Sequence, residues 1–188
     1  MNGAEIMQNN QKVYAKVQVL LDRLASLPDV KAIRTGDMTA SLHINEHYPL
    51  VEVLVRYTCR NRLWSQNYDV TYSCQVESSI TSPGYICYDI QHGHFTDKNH
   101  SLSDICAELN ANPFLSKLLC SIDLHDFHIE LHSGITTVHL TPMTGGITKL
   151  VIPPVTQLIL PTEKECIAVL QILQLTASHM KGLAFNKL

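Results

Sequence analysis

The chain has 188 residues, of which 45% are hydrophobic and only 16% charged, with a formal net charge of −3. That length supports one domain with an adequate core, the composition argues against disorder, and the acidic balance disfavours nucleic acid, whose binders present a basic footprint. No stretch reaches the roughly 20 apolar residues that cross a bilayer as a helix, the first residues lack a signal-peptide run, and the six cysteines, without CxxC spacing, are expected to stay reduced in the cytoplasm.

In chain order, the first element is a helix over 10–27. Val13, Val17, Leu20, Leu21, Leu24 and Leu27 recur at helical spacing, Asn9 or Asn10 offers a cap, and Pro28 ends it. The period then changes to two. Met38, Ala40, Leu42 and Ile44, then Val51, Val53, Val55 and Tyr57, then Tyr68, Val70, Tyr72, Cys74 and Val76 each alternate with polar residues, and Tyr85–Ile90 is a fourth run. This predicts an antiparallel meander of four to five strands over 38–92, buried on one face and wet on the other. Residues 101–122 return to helical spacing as a broken pair. Ser101 or Ser103 is the expected cap of the first helix, and Asn112-Pro113 opens the second. Three to four strands follow over 124–160, with the turn Gly145-Gly146 and an edge or bulge at Pro153-Pro154. A last helix is expected over 162–181. Thr162 and Glu165 form its capping box and Gly182 its stop. The final tripeptide, Asn186-Lys187-Leu188, departs from a peroxisomal signal at its first position. The whole reads as a single α+β domain, 1–188, with its helices packed on the buried face of the sheet.

The segment Leu124–Leu140 holds four of the ten histidines. As a hairpin centred on Ser133-Gly134, it sets Leu131 opposite Thr136, Ile129 opposite Val138 and His128 opposite His139. A slip of one residue would bury His139 and expose Val138. The inner face is then Phe127, Ile129, Leu131, Val138 and Leu140, with Thr136 as its one polar member. The outer face gathers His128, Glu130, His132 and His139, a spacing that permits a zinc ion, although no Asp or Cys stands out as a brace behind these ligands. The bland reading is a solvated polar face. His92-Gly93-His94 reads as turn chemistry.

Among the cysteines, a meander would set Cys74 opposite Cys87. Cys106, Cys120 and Cys166 fall on helices as core or near-core thiols. Arg56, Arg60 and Arg62 near Trp64 could grip single-stranded RNA, but Trp and Arg are more often anchors of a protein interface. No phosphate loop, nucleophile elbow or HExxH helix is present. The leading expectation is therefore a non-enzymatic protein-binding or assembly module, binding a protein partner or itself as a homodimer. Trp64, Arg60 and Arg62 are the contact residues, together with Leu170 and Leu173 on a last helix that is apolar nearly all round. No cofactor is expected on this reading. The alternative is a metal- or small-ligand-binding protein, a hydrolase among the options, that holds zinc through His128, Glu130, His132 and His139. The element order is similar in outline to that of small secretion chaperones. That resemblance implies dimerisation and the wrapping of client segments, and rests on no motif.

Overall fold

A computed structural model of the chain describes residues 3–44, 52–98, 101–150 and 152–182, with side chains of the first helix described from Gln11 onward. Val51, the turn at 45–49 and the C-terminal tripeptide of the sequence reading lie outside these residues. In order, the elements are α1 (Gly3–Ala25), β1 (Val30–Gly36), β2 (Thr39–Ile44), β3 (Glu52–Asn61), β4 (Ser65–Glu77), β5 (Gly84–Asp89), β6 (His94–Asp97), α2 (Ser103–Asn110), α3 (Pro113–Leu119), β7 (Leu124–His132), β8 (Ile135–Pro142), β9 (Ile147–Leu150), β10 (Val155–Leu158) and α4 (Glu163–Gly182). The ten strands form one antiparallel sheet, and the four helices pack on it in an α+β fold. None of these helices is long and apolar enough to cross a membrane.

The path β1-β2-β3-β4-β8-β7-β5-β6 crosses the sheet. β4 is long enough to pair along one edge with β9 over Ser65–Tyr68 and with β8 over Tyr72–Glu77. β10 pairs only β9 and is the edge that Pro153-Pro154 required. The expected meander is present over four strands, β1 to β4, and only its last expected strand lies elsewhere. β2, β3 and β4 are consecutive neighbours, but the β7–β8 hairpin stands between β4 and β5. Cys74 therefore pairs in register with Val138 and Cys87 with His128, so two strands, β8 and β7, separate the cysteines. Alternation fixes which face a residue takes but not which strand lies beside it. Two strands were also missed: β1 is a mostly exposed edge with weak alternation, and β6 is only four residues long.

One core lies between the helices and the inner sheet face. It joins Val13, Leu20 and Leu24 of α1, Leu109 of α2, Leu115 of α3, and Ile172 and Leu173 of α4 to Leu42, Val53, Val70, Tyr72, Phe127, Ile129, Val138 and Leu140. α4 is apolar on most sides because it is flanked by β4, β8 and α3. Leu173 is fully buried and Leu170 nearly so. Both therefore serve the chain's own core, which corrects their reading as contact residues.

The caps follow local chemistry, with two departures. The Thr162 hydroxyl accepts from the Glu165 N–H at 3.2 Å, and the Glu165 carboxylate accepts from the Thr162 N–H at 2.7 Å, closing the capping box. The Asn112 side chain accepts from the Phe114 and Leu115 N–H groups before Pro113. α1 begins at Gly3, so Asn9 and Asn10 lie inside the helix instead of capping it. α2 takes no serine cap. The Asp97 carboxylate, arriving from β6, instead accepts from the Leu102 N–H at 2.8 Å and the Ser101 hydroxyl at 3.2 Å.

The hairpin turn that governs the histidines is Ser133-Gly134, with φ of 52° and 80°. Both residues are left-handed, as a two-residue type I′ loop demands. Serine bears a steric cost there that asparagine tolerates better. Ser133→Asn should raise stability by about 0.5–1 kcal/mol, read as a higher urea midpoint with an unchanged slope.

Candidate metal centre

β7 and β8 pair in the register that the apolar pattern required: His132 with Ile135, Leu131 with Thr136, Glu130 with Thr137, Ile129 with Val138, and His128 with His139. Thr136, the one polar residue of the inner face, is fully buried and satisfied, because its hydroxyl donates to the Ser78 hydroxyl at 3.0 Å. With the core side fixed, the ligand side follows. His128, Glu130 and His139 face away from the helices.

The imidazoles of His128 and His139 stack with centroids 4.7 Å apart and planes 24° from parallel. Tyr85 of β5 lies on the other side of the His128 ring at 5.1 Å. The Glu130 carboxylate faces both histidines: Oε1 lies 3.7 Å from His128 Nε2 and Oε2 lies 3.8 Å from His139 Nε2. Donor atoms of the three residues all fall within 4.8 Å of one another. A tetrahedral zinc with bonds of about 2.0–2.1 Å needs ligand atoms about 3.3–3.4 Å apart. The donor atoms are within reach of one ion, and the two stacked rings must turn out of their stack for the Nε2 lone pairs to converge on it. The histidines are only 18% and 25% exposed while Glu130 is 53% exposed, so the carboxylate is freer to adjust than the rings.

Asp126 supplies the brace that the sequence reading did not find. The His128 Nδ1 hydrogen bonds to Asp126 Oδ2 at 2.7 Å. With Asp126 ionised, Nδ1 must donate, and in the neutral ring the lone pair is then on Nε2, on the Glu130 side. This carboxylate–histidine pairing is what orients metal-binding imidazoles. The hydrogen bond from His128 also holds the Asp126 carboxyl below its ordinary value, against burial acting the other way. Burial lowers the His139 pKa and so favours its neutral, ligating form. Tyr85 and Cys87 beside the site are both pushed up, chiefly by burial.

His132 is not part of this group. It faces the same way but sits two residue pairs beyond Glu130, opposite Ile135 at the hairpin end, about 6.5–7 Å along the strand. The fourth predicted ligand is thus removed and Asp126 added behind His128. A signal for Asp126 existed, since it precedes His128 by two and so shares its face. A bulge between Leu124 and Asp126 hid it by interrupting the alternation at His125.

The remaining sequence candidates fall elsewhere. His92 is engaged by the Asp89 carboxylate at 2.8 Å within the turn at Gly93, φ 70°, and this is turn chemistry as expected. Arg60 pairs with Asp69 and reaches His125 Nε2 at 2.8 Å. Arg62 closes the β3–β4 turn through its backbone with Ser65, where Trp64 is 62% and Leu63 85% exposed. All six cysteines are free. Burial pushes Cys74 up to about 12 and Cys166 up to about 11, as inert core thiols require. Cys120 is exposed, which corrects its near-core reading, because it caps the C-terminal end of α3.

The site also belongs to a longer pattern. One outward-facing row runs Ile33, Ser41, Leu54, Ser73, His139, His128, Cys87, Thr96, with one residue from each strand of the eight-strand path. The helices contribute to the core on the opposite face.

Residues 23–180 match a family model described as a protein of unknown function (DUF3156). The chain belongs to this family. The matched region contains every strand and the whole His128–Glu130–His139 group. No curated protein and no solved structure matches the chain.

Proposed function

We propose that this DUF3156 protein binds one divalent transition-metal ion, zinc in the first instance, through His128 Nε2, His139 Nε2 and the Glu130 carboxylate. The observation that carries this reading is the brace: a two-histidine, one-glutamate group is of little note on a polar sheet face, but here Asp126 holds one imidazole in the ligating tautomer. Three protein ligands leave a tetrahedral ion one open position. That is the arrangement of catalytic zinc sites and not of closed structural ones, so metal-assisted hydrolysis is the reaction class within reach. Protein purified without a histidine tag should bind one zinc per chain, measured by elemental analysis after dialysis. The double variant His128→Ala/His139→Ala should bind none, and His132→Ala should bind as the parent does. Zinc retained by the double variant would refute the site.

A second reading has its own observation. The β3–β4 turn presents Leu63 and Trp64, and Leu150, in register with Ser65, leads to Ile152, 71% exposed. This apolar tip, bordered by Arg62, supports protein binding or assembly, with a second copy the first partner to test by sedimentation. Both readings suit the cytoplasm, where free thiols persist.

A further inference from the structure

Arg56 of β3 projects from the same outer face as the histidine pair. Its register partner on β4 is Thr71, whose hydroxyl is hydrogen bonded at 2.8 Å to that of Thr141 on β8. Thr141 is two residues from His139 and is the register partner of Asp126. Arg56 thus lies on the outer face with two small hydroxyl side chains between it and the proposed metal ligands. Among the described residues it has no carboxylate within ion-pair distance, whereas Arg60, next but one on the same face, is neutralised by Asp69 and held by His125.

The charge balance points the same way. A divalent ion on two neutral imidazoles and Glu130 has a net charge of about +1, Asp126 offsets it, and Arg56 restores it. The open coordination position and a fork of N–H donors with no carboxylate partner among the described residues then share the outer sheet face. That combination suits a ligand with two oxygens to share.

We propose that the site takes a small oxyanion, a phosphate or carboxylate group of a larger ligand, with one oxygen on the metal and another on Arg56. This rests on the metal reading above, and the test separates the two. The full chain is loaded with cobalt(II), whose visible absorption reports its coordination, and titrated separately with inorganic phosphate and with acetate.

The expected result is a saturable spectral change with at least one anion. In Arg56→Gln the half-saturating concentration should rise by about tenfold, the loss of one charge-assisted hydrogen bond, with cobalt binding intact. Arg56→Lys, which keeps the charge but not the fork, should fall between. The anion that saturates lower identifies the ligand group. A cobalt spectrum that ignores both anions, or responds equally in Arg56→Gln, would overturn the oxyanion site and leave the metal site standing. Failure to bind cobalt at all would remove both.

Discussion

Asp126→Ala should weaken zinc binding ten- to a hundredfold, the usual cost of losing the group behind a metal-bound histidine. The effect has two parts. Without the 2.7 Å hydrogen bond to Oδ2, the proton of neutral His128 is free to move to Nε2, which then has no lone pair to offer. The ring also loses the contact that sets its angle about the Cβ–Cγ bond, although Tyr85 and His139 still sandwich it. That sandwich is why binding should weaken without being abolished. Asp126→Asn, which keeps an acceptor but not the charge, should lie between the parent and the alanine variant. Competition with a chromophoric chelator measures all three. A change below twofold for Asp126→Ala would show that Asp126 does not orient the ligand. Because Asp126 is half exposed on the outer face, the folding midpoint should move little, which separates this effect from loss of structure.

Phe127→Ala should lower stability by about 3–5 kcal/mol, the range for deleting a buried aromatic ring. Phe127 is wholly buried. It packs edge-on against Phe95 with centroids 5.4 Å apart and tilted against Tyr88 at 6.2 Å, so one ring ties β7 to β5 and β6. With a typical total of about 5–15 kcal/mol, such a loss should be plain in urea unfolding. Phe127→Leu, closer in volume, should cost less than half as much. The same residue fixes the neighbouring histidine, because consecutive side chains on a strand take opposite faces. Phe127→Ala should therefore also impair zinc binding at temperatures where part of the protein is unfolded, and binding should recover on cooling. Loss of zinc binding at full folding, with the parent's midpoint, would contradict this account.

The hairpin was legible because two constraints agreed. Phe127, Ile129, Leu131, Val138 and Leu140 demanded one register, and the left-handed pair Ser133-Gly134 closed it. The caps at Asn112 and Thr162 were legible because a side chain and the N–H group it satisfies lie within three residues of each other. The Asp97 cap on α2 was not, since its acceptor comes from a separate strand. The position of β5 was hidden for a related reason: Ile86 and Cys87 alternate equally well beside β4 or beside β7. Leu170 and Leu173 showed that they were buried, but not that α3 and the sheet bury them. Arg56 and Tyr85 belong to the site only through strands β3 and β5, and nothing local to either residue announces it.

The row from Ile33 to Thr96 takes one side chain from each of eight strands. Strands lie about 4.8 Å apart, so seven steps span about 34 Å. A molecule lying along that line would meet side chains from seven segments scattered through the chain, Ser41 of β2 being buried. Its recognition would be written across the weave, one letter per thread, and each letter could be exchanged with little disturbance to the rest.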